Sequence, residues 1–132
     1  MKRKLLLVGL FLILVFTVTM VASASNKSAN DAEVDSYIVV MELDPVVRYE
    51  GDVKGYQATK PGKGDKVNPN SAHVKKYQQF LEKSHDASLE AADASAEQKV
   101  HDYTVALNGY SAVLTEEQAK DVEAQKGVVM VL

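Results

Sequence analysis

The chain contains no cysteine among its 132 residues, so no disulfide can staple it and a hydrophobic core must hold it together. Histidine is almost as scarce. His73, His85 and His101 are the only three, without HExxH or any paired spacing, so no metal site is supported and each is expected to be solvated or partly buried. No GxSxG elbow presents a serine for a Ser-His-Asp triad, and Asp65, Glu82 and Asp86 have no partner that would make a working carboxylate pair. Neither GxxxxGK[ST] nor GxGxxG is present to cradle a phosphate, and no basic stripe is interleaved with aromatics. Enzymatic chemistry, a cofactor and nucleic-acid binding are therefore not expected, and binding to a protein remains.

The first residues are basic and then apolar. Lys2, Arg3 and Lys4 precede the run Leu5 to Ala22, and Ala22-Ser23-Ala24 has the small-x-small pattern cut by signal peptidase, so residues 1–24 read as a secretory signal. The run is also about as long as the ~20 apolar residues of an uncleaved membrane anchor, but the Ala-Ser-Ala site favours cleavage and a secreted chain that leaves the membrane. Without those three cations the 15 basic residues fall to 12 against 18 acidic ones, a net charge of −6 that disfavours a phosphate-binding surface. About 100 residues without staples fold only marginally, so stability is expected to be gained partly from a partner.

Residues 25–36 are polar and small and read as a disordered leader. Tyr37 to Leu43 is a continuous apolar run stopped by Asp44-Pro45, and reads as a strand covered on both faces. Residues 44–70 carry four of the seven glycines and read as a long loop inserted at the surface. From Ser71 to about Ala92, Val74, Tyr77, Leu81 and Ser88 recur at helical spacing, with Asn70 or Ser71 offering an N-cap oxygen.

In Tyr103 to Thr115, two short apolar runs flank Asn108-Gly109, which suits a two-residue type I′ turn and predicts a β-hairpin. Its bulky face carries Tyr103, Val105, Leu107, Tyr110, Ala112 and Leu114, and its small face Thr104, Ala106, Ser111 and Val113. Thr115 to Gln118 is a capping box that opens a second helix with Ala119 and Val122 inward, and Gly127 suits its left-handed end. Val128 to Leu132 is a last strand. The order strand, helix, strand, strand, helix, strand predicts an α+β, ferredoxin-like βαββαβ fold, a four-stranded antiparallel sheet with both helices on one face. The other face would be bare, an apolar surface that a monomer does not ordinarily expose.

Several stretches together resemble the inhibitor I9 family, the propeptides of subtilisin-like serine proteases and their free-standing inhibitor relatives. They are Tyr37 to Val40, Tyr49-Glu50-Gly51-Asp52, Asn68-Pro69-Asn70-Ser71, Tyr77 with Leu81, the whole of Tyr103 to Thr115, and Gly127-Val128 with Val131. The domain so identified spans residues 37–132. The resemblance implies that the open sheet face docks on the protease, that the domain acts as chaperone and inhibitor, and that the C-terminal tail lies in the substrate cleft. Val39, Met41, Thr104, Ala106, Ser111, Val113 and Met130 are the implied docking residues, with Val131 and Leu132 as the tail. Family members continue past the last strand, whereas Leu132 is the last residue here. Three expectations stay open on that point: a piece of a longer protease precursor, a free-standing module that inhibits weakly, or use of Val128 to Leu132 as the cleft peptide. A self-associating domain without a protease partner is the alternative from another class.

Overall fold

The structure is a computed structural model and describes residues 32–132. The expected signal segment and most of the expected leader lie outside those residues. Strand β1 spans Val34–Met41, helix α1 Ala72–Ala91, β2 Lys99–Tyr103, β3 Gly109–Thr115, α2 Glu116–Glu123 and β4 Val128–Val131. The strands form one antiparallel sheet in the order β2-β3-β1-β4, the ferredoxin-like arrangement, with α1 and α2 over one face. Strand β1 begins at Val34, so the last residues of the expected leader belong to the sheet.

Val39, Tyr110, Ala112 and Leu114 of the sheet pack with Leu89 of α1 and with Ala119 and Val122 of α2, all buried. Thr115 closes the capping box at the start of α2: its Oγ1 accepts from the Gln118 N–H at 3.2 Å, and its own N–H donates to Gln118 Oε1 at 3.1 Å. At α1 the backbone of Ser71 occupies the cap position, but its hydroxyl makes no capping bond and donates instead to the Asn68 carbonyl. Gly127 is left-handed (φ 94°) as expected, but it lies beyond the end of α2 at Glu123 and turns the chain into β4.

The long segment 44–70 has no helix or strand, yet it is more than a surface insertion. Val46 and Tyr49 are buried with Val74, Tyr77 and Leu81 in a second core on the N-terminal half of α1. The rings of Tyr49 and Tyr77 stack at 3.7 Å, the Tyr77 hydroxyl donates to the Asp44 carbonyl at 2.7 Å, and Thr59 Oγ1 donates to the Val46 carbonyl at 2.7 Å. Three tyrosines in and beside the loop supply what its glycines cannot, namely apolar area to bury.

The hairpin is built differently from the expectation. Strand β2 ends at Tyr103, which pairs with Gly109, so residues 104–108 form a five-residue connection and Asn108-Gly109 is not a two-residue turn. Asn108 is buried because its side chain is needed inside. Gly109 has no positive φ; it is required because a Cβ there would stand 2.0 Å from the Val39 carbonyl oxygen of β1.

Candidate functional site

The sheet face away from the helices carries a continuous band of uncharged side chains. Residues opposite one another across the strands share a face, and those of one strand alternate between faces. His101, Ser111 and Ile38 stand in one cross-strand row, and the main chains of Ile38 and Leu132 exchange two bonds of 2.9 Å that add Leu132 to it. Val40 pairs with Met130 in the adjacent row, and Val113 pairs with Ser36 on the other side. Ile38 and Met130 are 41% and 42% exposed, and Leu132 is 68% exposed, high values for large apolar side chains held by sheet hydrogen bonds. The rings of His101 and Tyr103 meet edge to face at 4.9 Å at the β2 end of the band.

Ser111, Val113 and Met130 therefore lie where the sequence places them, on the open face, and Leu132, expected as part of a tail in a cleft, lies beside Ile38 on that face instead. Val39 and Met41 do not lie there. Val39 is fully buried opposite Tyr110 and Met41 packs against the same core, so the phase of β1 is shifted by one residue and Ile38 and Val40 take the open positions. A one-residue shift in a strand exchanges its faces, and a run that is apolar on both sides offers no pattern to prevent the misreading. Thr104 and Ala106 fall outside the sheet. Thr104 is buried with its Oγ1 accepting from Gln78 Nε2 at 3.1 Å, and Ala106 sits in the exposed connection. Val131 pairs with Val39 and packs on the core. Since Val128–Val131 is a strand and Leu132 is bonded to Ile38, this segment is not a free peptide available to a cleft.

The family model of peptidase inhibitor I9 matches residues 36–132. The chain belongs to this family. Among curated proteins, 93 residues are 33% identical to the subtilisin-like protease SBT2.5 and 31% identical to SBT2.6, both of Arabidopsis thaliana. Each match covers 70% of this chain, which spans only 11% of either relative. No solved structure matches the chain.

Inside this I9 domain lies a polar chain that the sequence reading missed. His85 is fully buried, against the expectation of a solvated or partly buried residue; its Nδ1 is 2.6 Å from Asp102 Oδ1 and its Nε2 2.8 Å from Asn108 Oδ1. Lys99 Nζ bridges Asp102, at 3.0 Å, to Asp86. Burial opposes the charge on Lys99, but the two carboxylates outweigh it and hold the ammonium above its ordinary pKa. With Nδ1–H donating to Asp102, Asn108 Oδ1 is satisfied only by a doubly protonated ring; rotating the amide lets Nδ2, otherwise without a partner, donate to a neutral one. The signal was available: His85 stands four residues after Leu81 and eight after Tyr77, on the inner stripe of α1.

A His–Asp pair invites comparison with a catalytic dyad. Here no solvent reaches the imidazole, and its second nitrogen faces Asn108 rather than a nucleophile. The nearby Ser88 hydroxyl is taken by Tyr110 Oη at 3.0 Å and Gln125 Oε1 at 2.8 Å. The arrangement ties α1, β2 and the 104–108 connection together. Among the described residues no cluster of histidine and carboxylate side chains could hold a metal ion, and no helix is long and apolar enough to cross a membrane.

Proposed function

We propose that this I9 domain is a secreted protein-binding module whose partner is a subtilisin-like serine protease, which it inhibits, assists in folding, or both. The observation that carries the reading is the open sheet face. Ile38, Val40, Ser111, Val113, Met130 and Leu132 offer a flat, uncharged surface with two-fifths or more of Ile38, Met130 and Leu132 in water, and such a surface is stabilised by burial against another protein. The likeness to two proteins named subtilisin-like proteases supports the choice of partner. The chain supplies no catalytic group of its own in this reading. It acts by occupying the protease surface, and ordering on the partner adds to its stability by mass action.

A second reading is favoured by the small share of the relatives that is matched: the domain serves in cis, ahead of a catalytic domain in a protease precursor. Both readings use the same face. Titration of the purified chain against a secreted subtilisin-like protease tests them together, with saturable inhibition or a stable complex expected. Absence of both at micromolar protein removes the protease partner, and concentration-dependent dimerisation through the same residues would assign the face to self-association.

A further inference from the structure

Asn108 and Gly109 stand side by side because the fold requires each of them separately. Asn108 is 2% exposed, with its side chain bonded to the buried His85 ring at 2.8 Å. Gly109 sits where any Cβ would stand 2.0 Å from the Val39 carbonyl oxygen. Together they make the dipeptide most open to internal cyclisation. Glycine has no side chain to shield its amide or restrict its backbone, so in a free chain the Gly109 nitrogen reaches Cγ of the Asn108 side chain with little hindrance.

In the folded domain that approach is blocked. His85 holds the Asn108 side chain, the Asn108 main-chain carbonyl accepts from the Met41 N–H at 2.9 Å, and Gly109 is paired with Val40 on one side and Tyr103 on the other. All of these restraints are lost once β3 separates from its neighbours.

We infer that Asn108 is a site of self-modification, shut while the domain is folded and open when it unfolds, so that prolonged unfolding becomes irreversible. The Gly109 N–H gives its proton to a base in solvent and its nitrogen bonds to Asn108 Cγ. The Cγ–Nδ2 bond breaks, and the nitrogen leaves as ammonia after taking a proton from water. The cyclic imide then takes up one water at either of its carbonyl carbons, leaving aspartate or isoaspartate at position 108. One water is consumed and one ammonia released, and nothing is oxidised or reduced.

Neither product fits the fold. Aspartate would bury a second carboxylate against a ring that already lies 2.6 Å from Asp102, whose neighbour Lys99 is shared with Asp86. Isoaspartate carries the main chain through Cβ and adds a methylene just ahead of Gly109, where the central strands leave no room for one further carbon. The operational stability of the domain is then a rate rather than an equilibrium, and anything that binds the folded form slows it. The inference does not depend on what covers the open face.

The test holds the full chain in mildly alkaline buffer with and without guanidinium chloride, and follows the peptide containing Asn108 by mass spectrometry for exchange of amide for acid and for isoaspartate. Conversion should be at least about tenfold slower in buffer than in denaturant. Across destabilised variants such as Tyr77→Ala and Val122→Ala, both truncated in the core, the rate in buffer should rise in step with the unfolded fraction. Converted chains removed from denaturant should fail to regain the native circular dichroism that unconverted chains regain, and Asn108→Asp should lower the denaturant midpoint. Equal rates in buffer and denaturant, a rate indifferent to stability, or converted chains that refold with an unchanged midpoint would overturn the inference.

Discussion

The backbone of Gly109 lies against the Val39 carbonyl so closely that a Cβ on the glycine would stand 2.0 Å from the oxygen and 3.2 Å from the Cα of Val40. This contact sets β3 against β1 at the centre of the sheet and fixes which residues of β1 face the helices. The obstructing atoms are backbone and cannot swing aside. Gly109→Ala should therefore destabilise the domain by about 3 kcal/mol or more, read as a lower denaturant midpoint, since relief requires the two central strands to separate. An unchanged midpoint would mean that the strands are not held this close.

The second core makes the 44–70 segment part of the folded unit. Tyr77→Phe keeps the stack on Tyr49 and loses the bond to the Asp44 carbonyl, and should cost about 1 kcal/mol; Tyr77→Ala should cost about 3–5 kcal/mol and deprotect the amides of Val53 and Thr59. A loop that merely decorates the surface would show neither effect.

The buried polar chain is held by His85. Replacing it with leucine leaves the fully buried Asn108 side chain and the Asp102 carboxylate without their shared partner, and should cost about 2–4 kcal/mol. The substitution should also loosen the 104–108 connection, seen as faster amide exchange there.

Alkaline pH provides a separate test of packing. Burial, reinforced by Tyr49, Asp52 and Asp44, raises the Tyr77 hydroxyl far above the ordinary tyrosine value, and burial likewise raises Tyr110 against the opposing influence of Ser88 and Lys99. Both groups keep their protons in the folded chain after the unfolded chain has begun to lose them near pH 10. The unfolded state then binds fewer protons, so stability is complete below about pH 10 and falls above it. Melting temperature measured across this range should decline, and less steeply in a Tyr77→Phe variant. Tyrosinate absorbance should show part of the tyrosine titrating only as the chain unfolds.

Much of this was legible in the residues. The bulky alternation Tyr110, Ala112, Leu114 against Ser111 and Val113 identified both faces of β3, and the capping box at Thr115 located α2, because each is a local pattern with a local cause. The phase of β1 was not legible, since Ile38, Val39, Val40 and Met41 are apolar on both sides and only Gly109 and Tyr110, distant in sequence, decide between them. The turn at Asn108 was misread for a similar reason. Asn-Gly is a strong turn signal, but a buried partner, His85, claimed the asparagine side chain. The second core was hidden by the glycines and lysines around Tyr49 and Tyr56, whose burial depends on α1.

The central claim is that the open face meets a protease, and methyl NMR of the chain with a catalytically inactivated subtilisin-like protease tests it most directly. The Ile38, Val40, Val113, Met130 and Leu132 methyls should shift or broaden on complex formation, while Val74 and Leu89 on the buried side of α1 stay unperturbed, and Ile38→Asp should abolish the complex without unfolding the domain. A complex that leaves these five methyls unchanged, or that survives Ile38→Asp undiminished, would contradict the account.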